Sequence, residues 1–393
     1  MKRKNKTLLF LSFSTLFLAG VIVFLFFVLK AEKIYRYPVI KLGQSAPLSG
    51  ASKHMGNSFR QGANAYFDYV NTQGGIYGRA LELLTYDDKY EPKLTESNVR
   101  HLIDKEGVFA LMGTIGTPTA MAAIPVALEE QIPFLMPLSG ARFLREPFNR
   151  LIFNLRPSYF EEIEAISSYL TEERGFKRIA IFYQNDSFGI EGLEGLTQSL
   201  DKRGLKIVAE GIYPRNTLSV SDAVYAIHPK SPEAIVMVGT YEASALFIQR
   251  YKELNPASPP LFVNISFVAA TALAEALQGN MRQVLVSNIT PSPWDISNPL
   301  VREYHRLYVE SMGHPPCFLS FEGFLSAKII VEALHKTGPI LSHKRFIKAM
   351  ENLSPDFLSD LKLRFSATNH QAFEQVFITG YENGRFVTLK SYP

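Results

Sequence analysis

Apolar residues in this chain fall into short blocks, separated by stretches in which they recur every third or fourth position. Four blocks, at 39–44, 80–86, 108–112 and 133–136, read as buried strands. Between them, 57–70 and 93–105 carry apolar side chains at helical spacing, and Gly74-Gly75 marks a join. Strands alternating with helix-length segments predict a parallel sheet with helices on both faces. The same series restarts after Arg150, with strands expected at 178–183, 206–212, 234–238 and 260–263. The stretch 298–352 predicts three successive helices instead, before short strands at 361–364, 376–379 and 386–389. A helical insertion ahead of the last strands implies that the chain crosses between two lobes more than once. Ligands in such sheets bind beyond the carboxyl ends of the strands, so two facing lobes enclose a cleft lined by strand-to-helix loops.

One block is of a different kind. Residues 8–29 contain no charged side chain, and as a helix they extend about 33 Å, enough for a hydrocarbon core of about 30 Å. Lys2, Arg3, Lys4 and Lys6 precede them, which keeps that tail cytoplasmic and places everything after Lys30 outside. No small-x-small cleavage site stands at Leu29, Lys30, Ala31, Glu32 and Lys33. The expectation is therefore a basic tail and transmembrane signal anchor over 1–30 and a linker over 31–37. The rest would lie in the periplasm, tethered to the bacterial inner membrane; the alternative is a cleaved signal and a soluble periplasmic protein.

Composition narrows the function. A chain of 393 residues with 47% apolar content can build two domains. Four cations of its tail account for the formal charge of +4, so the exported part is near neutral and carries no nucleic-acid footprint. Cys317 is the single cysteine, which excludes an intramolecular disulfide framework and the usual Cys/His zinc patterns. GxSxG is absent around Ser49 and Ser139, HExxH is absent, and the 43–50 loop lacks the lysine of a phosphate-binding loop. No enzyme, metal or cofactor is expected.

Specific runs then become informative. Residues 43–62 (GQSAPLSGASKHMGNSFRQG), 71–78 (NTQGGIYG), 86–92 (YDDKYEP), 178–189 (RIAIFYQNDSFG) and 321–338 (FEGFLSAKIIVEALHKTG) resemble, in order, the type I periplasmic binding proteins of the branched-chain amino acid transport family. The resemblance implies two doubly wound α/β lobes joined by a three-strand hinge, closure on a small-molecule ligand, and delivery to an ABC permease. It places the lobe switches near Arg156, Asn288 and Leu361, giving lobe 1 as 38–155 plus 289–360 and lobe 2 as 156–288 plus 361–393.

Carried over position by position, the resemblance puts Thr117, Leu138, Ser139 and Gly140 at the first-lobe side of the cleft, with Met55 where the family often has an aromatic. Hydroxyls and backbone N–H groups at a helix start can receive a carboxylate or carbonyl oxygen, although Thr and Ser there also serve as plain N-caps. Phe188 and Tyr241 align with second-lobe aromatic contacts, and either ring could instead fill core. Ser266 aligns with the acid that amino-acid binders use to hold the ligand's ammonium, a charge a serine cannot supply. Glu242 or Asp186 substitutes, or the ligand is a carboxylate, an amide or a small aromatic acid rather than an ordinary α-amino acid. Asp87 and Asp88 read as loop-bonding carboxylates, Glu322 as either a lobe-to-lobe or a ligand contact, and His54 as a solvated loop histidine. Besides an ABC-importer subunit, a ligand-sensing ectodomain and a ligand-free envelope scaffold remain open.

Overall fold

The strand Val39–Ala46 (β1) is flanked by other strands on both sides and covered on both faces, which is why its burial shows no clean alternation. It is the second strand of a five-stranded parallel sheet ordered β2-β1-β3-β4-β5, with Val39 opposite Ala80 and Ala46 opposite Asp87. The computed structural model describes residues 38–359 and 361–393. The expected anchor and linker, residues 1–37, lie outside the described residues. Among the described residues no helix is long and apolar enough to cross a membrane.

The first sheet is completed by Lys53–Thr72 (α1), Ala80–Asp87 (β2), Pro92–Asp104 (α2), Ala110–Met112 (β3), Thr117–Glu129 (α3), Phe134–Leu135 (β4) and Ile152–Phe153 (β5). The second begins with Tyr159–Ser168 (α4) and continues through Ile179–Gln184 (β6), Ser187–Asp201 (α5), Glu210–Tyr213 (β7), Ser221–Ile227 (α6), Ala234–Val238 (β8), Tyr241–Leu254 (α7), Leu261–Asn264 (β9), Ala270–Ala276 (α8) and Val284–Asn288 (β10). Three helices follow, Pro299–Tyr304 (α9), Phe318–Thr337 (α10) and His343–Glu351 (α11), then the hairpin Val376–Glu382 (β11) and Arg385–Tyr392 (β12).

Those three helices return to the first lobe. α10 lies against α1 so closely that a Cβ on Gly62 would stand 1.8 Å from the Ser320 carbonyl oxygen, and Phe346 of α11 meets Phe109 edge-on at 5.3 Å. The hairpin instead extends the second sheet, ordered β12-β11-β10-β9-β8-β6-β7. The chain thus passes between lobes three times, and the first and third passes run side by side. Asn154 N donates to His370 O at 2.7 Å, Ala372 N to Asn154 O at 2.8 Å, and Phe373 N to Leu155 O at 3.1 Å.

The second sheet is parallel from β7 through β10, as expected; only its last two strands depart, β11 running antiparallel to β10 and β12 to β11. A register shift between Ile378 and Thr379 interrupts that last pairing. No strand forms at 361–364; Leu361 makes only an isolated bridge with Leu358. Two strands escaped the pattern: β5 spans two residues, and β10 ends in Ser287 and Asn288, polar side chains whose partners are inside the fold.

Candidate functional site

The carboxyl ends of β1, β3 and β4 face those of β6, β8 and β9. On the first-lobe side Thr117 opens α3, yet its side chain caps nothing; its Oγ1 shares a 2.8 Å hydrogen bond with Ser139 Oγ. Ser139 Oγ also accepts from Ala141 N at 3.2 Å. Leu138 is bridged to Ile115, Gly140 O accepts from Tyr159 N at 2.8 Å, and Met55 is buried in α1.

On the second-lobe side Asp186 caps α5, its Oδ1 accepting from Phe188 N at 3.0 Å. That cap turns the Phe188 ring inward, 5.4 Å from Tyr159 and 4.5 Å from Phe267. Tyr241 opens α7 and is 7% exposed; its hydroxyl donates to Glu242 Oε1 at 3.2 Å and its ring meets His54 of lobe 1 edge-on at 6.1 Å. His54 is half-buried, and burial lowers its pKa.

Ser266 is engaged within the protein. Arg156 Nη1 donates to its Oγ at 2.7 Å, and that Oγ donates to Glu162 Oε2 at 3.0 Å. Arg156 also makes a two-pronged pair with Glu322, Nε to Oε1 and Nη2 to Oε2, both at 2.7 Å. Glu162 accepts further from Ser266 N and Ser287 Oγ. Burial raises the Glu322 pKa while the guanidinium opposes it. Glu322 is therefore a contact between the first-lobe helix layer and the crossover.

The carboxylates after β2 hold their own loop and tie it to the end of β1 and the loop that follows. Asp87 Oδ1 accepts from Leu48 N at 2.9 Å and Lys89 N at 3.0 Å. Asp88 accepts from Ser45 Oγ at 2.8 Å, Tyr90 N at 2.9 Å and Thr95 Oγ1 at 3.0 Å, and burial pushes its pKa up to about 6. The lips of the cleft touch beyond that loop: Arg215 Nη2 donates to Glu91 Oε2 at 3.0 Å and lies 3.5 Å from Asp186 through Nη1, while Asn216 Nδ2 donates to Glu91 Oε1 at 2.7 Å.

Of the eight residues singled out from the sequence, Tyr241 meets His54 of the other lobe, Gly140 meets Tyr159 and Ser266 meets Arg156 of the crossover, whereas Met55 and Leu138 are packed within lobe 1. Tyr90, Tyr159, Phe267, Arg156 and Glu162 join them and were not foreseen. Tyr90 lay inside a quoted run, and Ser158 with Glu161 spelled a capping box in front of Tyr159, but nothing local shows where either ring points. A groove of about 600 Å³ lies elsewhere, beside the first and third crossovers, lined among others by Arg142, Arg145, Asn154, Glu161, His370 and Gln371; none of the eight lines it. Among the described residues no cluster of His, Cys, Asp or Glu could hold a metal ion.

Residues 39–385 match the family model described as periplasmic binding protein. The Leu/Ile/Val-binding protein homolog 8 of Brucella abortus is 23% identical over 368 residues, 90% of each chain. Homolog 7 of Brucella suis is 21% identical over 367 residues, 90% of this chain and 91% of its own. Among solved structures, a possible leucine/isoleucine/valine-binding protein from Rhodopirellula baltica superposes with a TM-score of 0.84 at 32% identity, covering 90% of this chain and 96% of that one.

Proposed function

The chain belongs to the periplasmic binding protein family, and from that premise we propose that it captures a small polar or amphipathic solute between its lobes and presents it to an ABC importer. The solute class is amino acid-like, carboxylate or amide. It is a binding protein of the Leu/Ile/Val-binding type, and it works outside the cytoplasm as a clamp that catalyses no reaction. The apolar segment over residues 8–29 supports export, as a retained anchor or a removed signal. The reading is supported by the hydroxyls of Thr117 and Ser139, bonded to each other at the start of α3 in one lobe, and by Phe188 and Tyr241, which stand at the starts of α5 and α7 in the other. Hydroxyls orient an oxygen-bearing end of the solute, Leu138, Gly140 and Met55 shape that side, and the rings enclose an apolar part.

Ser266 speaks to the solute's charge. Its Oγ donates to Glu162 and accepts from Arg156, so it is held within the protein, and being uncharged it does not replace the acid that would pair with an ammonium. The tight internal packing of the cleft residues favours one further reading, a ligand-free envelope role.

Thermal unfolding of the full chain in mild detergent, against amino acids, carboxylates, amides and aromatic acids, tests the proposal. A solute at a hundred times its dissociation constant adds about 2.7 kcal/mol of stability, and the shift is expected to vanish in Thr117→Ala and Tyr241→Ala. Silence across all four classes would sink the solute-capture reading.

A further inference from the structure

We propose that the groove behind the crossovers is a second binding site, for a small zwitterion held between Arg145 of lobe 1 and Glu161 of lobe 2. The site lies apart from the cleft and stands or falls separately from the solute-capture reading.

Its walls come from parts of the chain that the fold ties together. Asn154 and Gln371 are bridged where the first and third crossovers run side by side. Asn154 Nδ2 donates to Leu144 O at 3.1 Å, which brings in the first-lobe loop, and the His370 ring is stacked on Phe153 at 3.7 Å. Phe148, edge-on to His370 at 4.8 Å, and Phe160, with the Arg142 guanidinium 3.9 Å from its ring centre, add apolar surface. At about 600 Å³ the groove has the size of a small-molecule site.

Two charges in its lining lack a counter-ion among the described residues. Arg145 is partly buried, and its partners are all uncharged: Nε donates to Gln371 Oε1 at 2.7 Å, Nη1 to Ala141 O at 2.9 Å and Nη2 to Arg156 O at 2.6 Å. Each terminal nitrogen keeps a further N–H to give. Burial pulls the guanidinium's pKa down to about 10, with the Glu161 charge opposing it. The Glu161 carboxylate accepts from Ser158 N and Ser158 Oγ, both at 2.6 Å, and from Gln371 Nε2, which lies 3.1 Å from each of its oxygens. Gln371 thus stands between a cation and an anion, bonding to both and neutralising neither. Of the other charged side chains in the lining, Arg142 lies 4.0 Å from Glu194, Glu374 lies 3.4 Å from Arg364, and Glu146 is exposed.

That arrangement selects a class of ligand. A lone anion on Arg145 would be repelled by Glu161, and a lone cation on Glu161 by Arg145. A carboxylate and an ammonium on one small molecule satisfy both, as charge-assisted hydrogen bonds. Since one anchor belongs to each lobe, the occupant spans the pivot on which the lobes turn.

Fluorescence at the groove tests this in the full chain in mild detergent. Phe148→Trp places the reporter at a position 46% exposed, and Trp294→Phe removes the single native tryptophan. Phenylalanine is expected to shift the emission. Phenethylamine and 3-phenylpropionate, each lacking one of its charges, should bind about fivefold more weakly, the upper end for one exposed ion pair. Glu161→Gln keeps a residue that a capping box accepts; it should weaken phenylalanine by about the same factor and 3-phenylpropionate not at all. No emission change with phenylalanine overturns the proposal, as do equal affinities for the three compounds or an unchanged phenylalanine affinity in Glu161→Gln. Thr117→Ala and Tyr241→Ala separate the two sites: a response that they abolish belongs to the cleft and overturns the hinge site, whereas one that survives them supports it whatever the solute panel shows.

Discussion

At the scale of single residues the decisive group is Arg156, fully buried and bonded both to Glu322 and to Ser266. Removing one partner of such a pair strands a charge away from water, which costs about 3–5 kcal/mol, whereas replacing both by apolar side chains is often close to neutral. Glu322→Gln leaves Arg156 the charge of buried Glu162 and is expected to lower the urea midpoint, while Arg156→Met leaves Glu162 and Glu322 both without their cation and is expected to lower it more; equal losses in the two would rule out charge pairing as the cause. The sequence showed that position 266 lacks the family's acid. It did not show what the serine does, because its partners lie 110 and 104 positions away and long-range pairing leaves no local trace. Tyr90 and Tyr159 were missed for the same reason. Asp87 and Asp88 were legible only in part: Lys89 N and Tyr90 N, two residues on, are the local partners, while Leu48 and Ser45 lie 39 and 43 positions away.

At the scale of elements, periodicity located most of the strands and the helical insertion, since covered strands and amphipathic helices imprint different periods on the chain. It failed where a strand is only two residues long, as at β5, and where buried ends are polar, as at β10. It could not tell that β11 and β12 turn antiparallel, which depends on the route taken after α11. The close approach of α1 to α10 is a tertiary matter as well, although Gly62 stands in a quoted run. Gly62→Ala puts a methyl into the Ser320 carbonyl, and such overpacking costs about 1–3 kcal/mol or more. The expected result is a lower melting temperature with the interlobe distance unchanged; an unperturbed melting curve would mean that the helices separate freely.

For the whole molecule, a polar clasp joins the lips of the two lobes. Arg215 and Glu91 are both partly exposed, so the pair contributes no more than about 1 kcal/mol and weakens as salt rises. Arg215→Ala should therefore open a minority of molecules, read as an added longer distance between spin labels at Lys93→Cys and Ser219→Cys in a Cys317→Ser background, and high salt should move the parent protein the same way. A wholly open population would instead make the clasp the main restraint. The outermost strand of the second sheet has a separate consequence. β12 is an eight-residue edge, and a flat edge of that length invites the strand of a neighbouring copy. The register shift between Ile378 and Thr379 twists it, while Arg385 and Lys390 line it with charge and Lys390 is anchored to Glu173 at 2.9 Å. Crowded copies of this chain therefore meet a bent, cationic margin that works against edge-to-edge aggregation.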